Sequence, residues 1–367
     1  MTLPKLLEPG ATHATNPWSR LRDFLRLRAE AKSFVYVSIA GENRIAIYEL
    51  NETSGEMELR GSTKVSGGPG ALAVAPNQKF LFASIRSVGN LASFRLDANS
   101  GSLSRVNEVA AGADPAYVST DATGQFLLSA YYQAGKVAVH TIDEQGFISS
   151  QAKQEVATDE KAHAIITDRS NRFAFVPHTG PNAIFQFLFD AKTGRLTADE
   201  FAKVQRPANT GPRHIWFHPS RDFAYVSDEQ GSSVTVYRFD RTRGRLSGIQ
   251  TVSTLPQGFD QSNSTADIEV HPAGQFVYVA NRGHDSIAKF QIDPELGTVT
   301  ALGQTPTEQT PRSFNIDPSG HFLIAAGQSA GKLATYRIDT KSGDLSRLAT
   351  YETGTQPWWV LVVRFED

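Results

Sequence analysis

The sequence contains no cysteine among its 367 residues. Disulfide bonds, thiolate nucleophiles and cysteine-ligated zinc or iron–sulfur clusters are therefore excluded. The chain also lacks an excess of charge of one sign, because 36 basic and 38 acidic residues leave a formal net charge of −2. This balance creates no global field that would attract nucleic acid or an anionic membrane. We expect neither as a partner.

Long hydrophobic runs are absent as well. No stretch approaches the roughly 18 consecutive apolar residues of a membrane span, and residues 1–32 contain no apolar signal-peptide core. We therefore expect a soluble, cytoplasmic protein. Turn-forming residues are plentiful, since 29 glycines and 18 prolines accompany 40% hydrophobic residues. This composition is typical of many short strands separated by tight turns.

The strongest pattern in the chain is an internal repeat. Each copy contains a short apolar strand, a turn, a second strand that Phe opens, and an outer hairpin. Six complete copies begin at residues 68, 114, 161, 211, 265 and 310. A spacing of about 45 to 54 residues is that of the four-stranded blade of a β-propeller.

The two ends of the chain supply complementary fragments of a seventh copy. SFVYVSIAG at 33–41 begins a copy that lacks its first strand, and TQPWWVLVV at 355–363 is a first strand without the rest. Joined, they complete one blade and remove the free sheet edges of an open ring. The sequence thus predicts an all-β, seven-bladed β-propeller over residues 33–367. A β-sandwich with a second domain would not explain the complementary ends.

Residues 1–32 form an extension before this propeller. Within it, NPWSRLRDFLRLRAEA at 16–31 predicts an amphipathic helix with Asn16 as N-cap and Pro17 at the first helical position. Its apolar face would consist of Trp18, Leu21, Leu25 and, at its edge, Phe24. We expect the helix to pack against the outside of the propeller or a partner subunit, and thus to support a homo-oligomer. A membrane-surface or targeting role is the weaker alternative.

Two recurring motifs are interpreted as structural. The pattern D-x-x-x-G-x-L, as at Asp97 and Asp339, predicts a tight outer hairpin with glycine in the positive-φ position. The His-Pro and Asp-Pro pairs at His218, His271 and Asp317 predict turns in which the polar side chain caps the backbone.

Two columns of the repeat depart from its apolar pattern. They lie ten residues before and six residues after the Phe of each second strand, where a purely structural repeat would have small or apolar residues. The first column is Gly70, Ala116, His163, Arg213, Ala266, Arg312 and Trp358, and the second is Ala40, Arg86, Tyr132, Thr179, Glu229, Arg282 and Gln328. Because local rules fail mainly at functional sites, these columns are the candidate site.

Antiparallel pairing of the inner hairpins should bring both columns to one mouth of the central channel. Arg213 and Glu229 would then meet at the same rim. Converging arginines imply an anionic ligand, although an ion pair that only joins the strands is the structural alternative. The predicted binding residues are Arg86, Tyr132, His214, Asp267, Arg282, Arg312 and Gln328.

These residues also resemble a known family. GPRHIWFHP, SDEQG, TADIEVHP and the terminal QPWWV are similar to segments of the seven-bladed propeller lactonases, which include bacterial 6-phosphogluconolactonases and, more distantly, the fungal carboxy-muconate lactonizing enzyme. The resemblance extends over residues 33 to 363. It implies hydrolysis of an anionic sugar-acid lactone without metal or cofactor, and 6-phosphoglucono-δ-lactone is the expected substrate. It also places the family's catalytic His, Arg and Glu on His163, Arg213 and Glu229.

Lactone opening requires an activated water, stabilisation of an oxyanion and a proton for the departing alkoxide. We expect Glu229 to be the general base if burial raises its pKa, Arg213 to polarise the carbonyl, and His163 to be the general acid. An exchange of the roles of His163 and Glu229 is equally compatible with the sequence. Arg282 and Arg312 would anchor a phosphate or carboxylate.

Alternative functions stay open. The same residues could process a carboxylated or unphosphorylated lactone, in either the hydrolytic or the lactonizing direction. A metal-dependent gluconolactonase would need a compact ligand motif, which the sequence lacks beyond Glu229 and Asp267. The protein could also be a non-catalytic, ligand-binding propeller and not an enzyme, but the sequence lacks the Trp-Asp blade signature of such scaffolds.

Overall fold

Twenty-eight strands form seven antiparallel sheets of four strands in the part of the chain that the computed structural model describes, residues 1–2 and 31–366. Blade 1 contains β1 (Lys32–Ile39), β2 (Arg44–Leu50) and β3 (Met57–Lys64). Blade 2 contains β4 (Pro69–Val74), β5 (Phe80–Ile85), β6 (Asn90–Leu96) and β7 (Leu103–Ala110). Blade 3 contains β8 (Pro115–Thr120), β9 (Phe126–Tyr131), β10 (Lys136–Thr141) and β11 (Gln154–Ala157).

Blade 4 contains β12 (Ile166–Thr167), β13 (Phe173–His178), β14 (Ala183–Asp190) and β15 (Arg195–Gln205). Blade 5 contains β16 (Pro212–Phe217), β17 (Phe223–Asp228), β18 (Ser233–Asp240) and β19 (Arg245–Ser253). Blade 6 contains β20 (Ser264–Val270), β21 (Phe276–Arg282), β22 (Ser286–Ile292) and β23 (Val299–Pro306). Blade 7 contains β24 (Pro311–Ile316), β25 (Phe322–Gly327), β26 (Lys332–Ile338) and β27 (Leu345–Glu352), and the chain continues into β28 (Pro357–Phe365).

The ring closes through blade 1, as the sequence predicts. β28 is the innermost strand of this blade and pairs antiparallel with β1, in a register that sets Phe34 opposite Val363. The two ends of the chain therefore share one sheet, and unfolding either end exposes a strand edge. The seven-bladed all-β architecture is confirmed.

Neighbouring blades are joined by a repeated contact between glycine and phenylalanine. The glycine of each outer hairpin has positive φ, 69° at Gly101, and a Cβ added there would overlap the Phe34 ring of the preceding blade. The same pairing recurs at Gly55 with Phe322, Gly146 with Phe80, Gly194 with Phe126, Gly244 with Phe173, Gly297 with Phe223, and Gly343 with Phe276. The predicted hairpin glycines thus serve two purposes, the turn and the joint between blades.

The turns between first and second strands are held by their polar side chains. His218 Nδ1 accepts the backbone N–H groups of Ser220 and Arg221, and its Nε2 donates to the carbonyl of Gly274. Asp317 accepts the N–H of Phe322. These contacts confirm that the His-Pro and Asp-Pro pairs are turn chemistry, at the end of the inner strands that lies away from the candidate site.

The N-terminal extension is largely outside this description. Residues 16–30 of the predicted amphipathic helix lie outside the described residues, and β1 begins at Lys32. Among the described residues, no helix has the length and apolar character needed to cross a bilayer.

Candidate active site

The first column of the repeat coincides with β-bulges at the start of the inner strands. In β16, Pro212 pairs with Asp228 and His214 pairs with Ser227, so Arg213 is the extra residue of the bulge. The equivalent irregularities place Arg312 in β24 and Trp358 in β28 at the same point. A bulge re-aims side chains and lets consecutive residues face one side. This explains why Arg213 and the adjacent His214 both reach the channel mouth.

Glu229 is the centre of an ion cluster at this mouth. Its Oε2 lies 3.1 Å from Arg213 Nε and 4.0 Å from His163 Nε2, and its Oε1 lies 3.4 Å from Arg282 Nη2. Arg282 Nη2 also donates to the carbonyl of Thr265. The prediction that Arg213 and Glu229 meet at one rim is confirmed. His163 belongs to the same group, on the segment that precedes the two-residue strand β12.

The electrostatics reverse the expected protonation behaviour of Glu229. Burial raises the pKa of this carboxyl, but Arg213, Arg282 and Arg312 oppose burial and bring the pKa below its ordinary value. Glu229 is therefore ionised at neutral pH and is a weaker base than a buried, unpaired glutamate. The condition under which Glu229 was expected to be the base, a pKa raised by burial, is not met, because the arginines outweigh desolvation.

His163 is neutral for the complementary reason. Burial lowers the pKa of its imidazole well below the ordinary value, and Arg213 lowers it further. The distance of 4.0 Å between His163 Nε2 and Glu229 Oε2 is too long for a hydrogen bond. His163 Nδ1 is buried without a hydrogen-bond partner. A neutral imidazole has one unprotonated ring nitrogen that can accept a proton, whereas only the protonated imidazolium is an effective general acid. The geometry thus favours His163 as base.

Arg213 is held between a carboxylate and a histidine ring. It is only 1% exposed, and burial followed by repulsion from Arg282 lowers its pKa to about 10. Its Nη1 lies 3.3 Å from His214 Nδ1 and 3.2 Å from Nε2. Nearly equal distances to both ring nitrogens place the guanidinium over the ring face, since an in-plane hydrogen bond reaches one nitrogen. His214 therefore supports Arg213 by stacking.

Asp267 fixes the orientation of His214. Its Oδ1 lies 2.8 Å from His214 Nδ1, and both side chains are buried. Burial and then Arg213 lower the pKa of His214 to about 4, so that the neutral ring donates its Nδ1 proton to Asp267. His214 thus contacts both Arg213 and Asp267, and the prediction that His214 and Asp267 bind substrate stays a prediction.

Aromatic rings form the floor of the mouth. Tyr117, His214 and Trp359 lie edge to face or tilted, with ring centroids 5.3 to 5.7 Å apart. Behind these three rings the channel contains a cavity of about 230 Å³. The rings separate this cavity from the ion cluster, so the cluster opens to one face of the propeller.

Two further arginines share the indole of Trp358. The guanidinium carbon of Arg312 lies 4.0 Å from the Trp358 ring centroid, and that of Arg86 lies 5.4 Å from it. Arg86 Nη2 also donates to Asp114 Oδ2 at 2.9 Å. No hydrogen bond or ion pair joins Arg312 to any residue in the described part of the chain. A half-buried guanidinium that no carboxylate contacts directly in the described structure is a candidate for binding an anion.

The other predicted residues divide into two groups. The Tyr132 ring meets His163 edge to face at 5.6 Å and so belongs to the site. Gln328 does not join the arginine cluster in the described structure; it lines a separate surface cleft with Ser329, Glu352 and Thr355. Among the residues described, no group of three or more His, Asp or Glu side chains could hold a metal ion.

Sequence reasoning missed Asp114, and it named Trp358 only as a member of the first column. Asp114 stands two residues before the first column, where the other copies have Gly68, Lys161, Gly211, Ser264, Thr310 and Gln356. Extending the column comparison by two positions would have shown this lone carboxylate. Its role depends on the distance to Arg86, which the sequence does not contain.

Several polar atoms at the mouth are buried without a hydrogen-bond partner. They are His163 Nδ1, Thr179 Oγ1, Arg213 Nε, Thr265 Oγ1 and Arg282 Nε. The Arg213 approach to Glu229 is thus an ion pair without hydrogen-bond alignment. Unsatisfied polar atoms are costly in a folded protein and are tolerated where a ligand or reaction uses them.

Comparison with known proteins shows the family to which the chain belongs. The sequence model of the family described as lactonase, 7-bladed beta-propeller, matches residues 41–362. The 6-phosphogluconolactonase of Pectobacterium carotovorum subsp. carotovorum is 34% identical over 207 residues, 56% of this chain and 62% of that protein. That of Erwinia tasmaniensis is 32% identical over the same shares. The chain therefore spans less than two thirds of the length of these relatives.

Solved structures agree on the fold. The periplasmic gluconolactonase of Pseudomonas aeruginosa superposes with a TM-score of 0.84 at 25% identity, covering 91% of this chain and 99% of that one. A Lactobacillus plantarum protein superposes with a TM-score of 0.83 at 23% identity, covering 91% and 100%. With the family model matching most of its length, the chain belongs to the lactonase family of seven-bladed β-propellers.

Proposed function

We propose that the protein hydrolyses a sugar-acid lactone, 6-phosphoglucono-δ-lactone, to 6-phosphogluconate. The observation that carries the proposal is the meeting, at one channel mouth, of a neutral His163, the Arg213–Glu229 pair and Arg312, a cation with no ion pair among the described residues. A base, an oxyanion partner and an anion anchor are what opening a phosphorylated lactone requires. The 6-phosphogluconolactonases among the relatives support the substrate.

His163 acts as the general base in this reaction. Its neutral imidazole removes a proton from a water molecule while the water oxygen bonds to the lactone carbonyl carbon. The protonated imidazole then gives that proton to the ring oxygen as the ester C–O bond breaks. The products are a carboxylic acid, which ionises, and a hydroxyl group. The proton count balances without another participant.

Arg213 stabilises the oxyanion that forms on the carbonyl oxygen. Its position is set on one side by Glu229 and on the other by the His214 ring, so little reorganisation is needed as negative charge develops. Arg282 lies on the other carboxylate oxygen of Glu229 and adds positive charge. Glu229 is thus the group that aligns both arginines and keeps them from repelling each other.

Arg312 binds the anionic group of the substrate, together with Arg86. Arg282, expected to share this task, is instead tied to Glu229 and to the Thr265 carbonyl. The phosphate would therefore lie toward Trp358, and the lactone carbonyl toward His163 and Arg213. Since phosphorylated sugars are cytoplasmic metabolites, we also propose a cytoplasmic location, which cell fractionation would test.

The test is hydrolysis of freshly generated 6-phosphoglucono-δ-lactone and of glucono-δ-lactone, with and without chelator, corrected for spontaneous opening. We expect chelator-resistant turnover of the phosphorylated lactone, a much smaller kcat/KM for the neutral one, and loss of both in His163→Gln. Turnover of neither lactone would overturn the proposal. Turnover of a carboxylated lactone in their place would assign the same site to a different acid.

A further inference from the structure

We propose that Trp358 and Asp114 make the channel mouth a phosphate clamp, in which the phosphate displaces Asp114 from Arg86 and joins Arg86 to Arg312. The substrate named here rests on the proposed function, whereas the clamp is a statement about anion binding. According to this proposal, Trp358 and Asp114 contribute to substrate specificity although they lie outside the reaction centre.

Trp358 is the platform of the clamp. It is the bulged residue of β28, which turns its indole toward the mouth, where two guanidinium groups lie over it at 4.0 Å and 5.4 Å. Stacking on an aromatic face restrains a guanidinium while leaving its N–H groups free. Two restrained cations so close together repel each other unless an anion lies between them.

Asp114 forms an ion pair with one of these two cations, Arg86. Its Oδ2 accepts from Arg86 Nη2 at 2.9 Å, and its side chain is about a quarter exposed, at 26%. Arg312 has no such carboxylate in the described structure. The two arginines are thus unequal: one is free, and the other is held by a carboxylate that an incoming anion must replace.

This inequality selects for charge. A dianionic phosphate has enough oxygens to bind both guanidiniums and so can compete with Asp114. A monoanionic carboxylate replaces Asp114 with an equivalent partner and gains only the contact to Arg312. A neutral sugar hydroxyl gains neither ion pair. Asp114 therefore weakens the binding of every anion. The loss of affinity is larger for a carboxylate than for a phosphate, because a phosphate regains more through its contacts to both guanidinium groups.

The experiment is calorimetric titration with inorganic phosphate at constant ionic strength. We expect Asp114→Asn to bind phosphate about threefold to fivefold more tightly, because the internal competitor is removed. Trp358→Leu should bind it roughly tenfold more weakly, and Trp358→Phe should recover part of that loss. The matched control is Glu155→Gln, which removes the carboxylate of the Lys136–Glu155 ion pair on the outer strand of blade 3 and should not change phosphate affinity.

A structural role for Asp114 predicts the opposite sign. If its only task were to hold Arg86, Asp114→Asn would bind phosphate equally or more weakly and would melt at a lower temperature, and the clamp would be refuted. Unchanged phosphate affinity in Trp358→Leu, with an unchanged melting temperature, would also refute it. Asp114→Ser provides a second variant should the asparagine substitution fold poorly.

Titrations with 6-phosphogluconate and gluconate separate this inference from the proposed reaction. Tighter binding of 6-phosphogluconate that follows the phosphate results, without lactone turnover, would support the clamp and reject the hydrolase. Turnover of glucono-δ-lactone with no phosphate binding would support a lactonase and reject the clamp. Equal gains for gluconate and 6-phosphogluconate in Asp114→Asn would reject selection by charge.

Discussion

Replacement of Glu229 by glutamine tests the ion cluster directly. The change removes the carboxylate that lies 3.1 Å from Arg213 and 3.4 Å from Arg282, and keeps the side chain's size. Arg213 is 1% exposed and would be left as a buried cation beside a second one. Breaking a buried ion pair costs roughly 3–5 kcal/mol. Because a fifth of the Glu229 side chain is exposed, at 21%, we expect the lower end, about 3 kcal/mol.

The corresponding change in melting temperature is small but measurable. An unfolding entropy of about 2.1 cal/mol/K per residue, applied to a chain of this length, converts about 3 kcal/mol into a fall of roughly 4 °C. The effect on catalysis should be larger, because Arg213 loses one of the two groups that aim it at the oxyanion. We expect kcat/KM to fall by about two to three orders of magnitude.

The assay combines differential scanning calorimetry with lactone hydrolysis, and Glu52→Gln is the matched control. Glu52 lies 3.0 Å from Arg364 Nε with 27% of its side chain exposed, so it resembles Glu229 in contact and burial but lies outside the cluster. The control should melt within about 1 °C of the wild type and retain activity. Equal melting shifts in both variants, or a Glu229→Gln enzyme within threefold of wild-type kcat/KM, would refute the reasoning.

Three further predictions follow from the same contacts. His163→Gln should lower kcat by about two to four orders of magnitude, and in the wild type kcat/KM should stay constant as pH falls through 6.5 and decline only at lower pH, since the lowered pKa of His163 keeps it neutral there. Asp267→Asn should lower kcat about 10-fold to 100-fold with little change in KM, because His214 loses the partner that orients it under the reaction centre. Gly101→Ala should destabilise the fold by about 2–4 kcal/mol through positive φ and overlap with Phe34 of the preceding blade, whereas Gly112→Ala, also at positive φ but with open space around it, should cost about 1 kcal/mol.

Each of these has an outcome that contradicts it. A pH–rate profile that already declines at pH 6.5 would mean that the base is an ordinary histidine. A large rise in KM with unchanged kcat in Asp267→Asn would make that residue a substrate contact and not a positioning residue. Equal unfolding free energies for the two glycine variants, measured by urea denaturation, would show that the contact between blades contributes nothing.

The fold was accessible from the sequence because its information is local and repeated. Seven copies of one strand pattern, each with its own turn residues, specify seven similar sheets, and the complementary ends specify how the ring closes. The repeat also contains the two residues that join neighbouring blades, a glycine and a phenylalanine at constant positions. The sequence did not show that the two touch across blades, since they belong to different copies.

The site was only partly accessible in this way. Counting positions within the repeat located His163, Arg213, Glu229, Arg312 and Arg86, because antiparallel pairing converts equal spacing into proximity. The positions in the repeat could not show that Arg282 is paired with Glu229 whereas Arg312 stacks on Trp358, because that difference depends on side-chain distances. Gln328 shows the limit, since it shares the column but not the cluster.

The amino-acid sequence was enough to predict the architecture, the rim at which the polar residues gather and the family. The tertiary structure decided the chemistry of that rim. Bulges turned adjacent residues toward one space. The surrounding arginines lowered the pKa of Glu229 against the effect of burial, and burial together with the arginines lowered the pKa of His163. A pKa depends on every charge and every dielectric boundary within several ångströms, whatever the distance along the chain. The proposal that His163 is the base therefore required the fold.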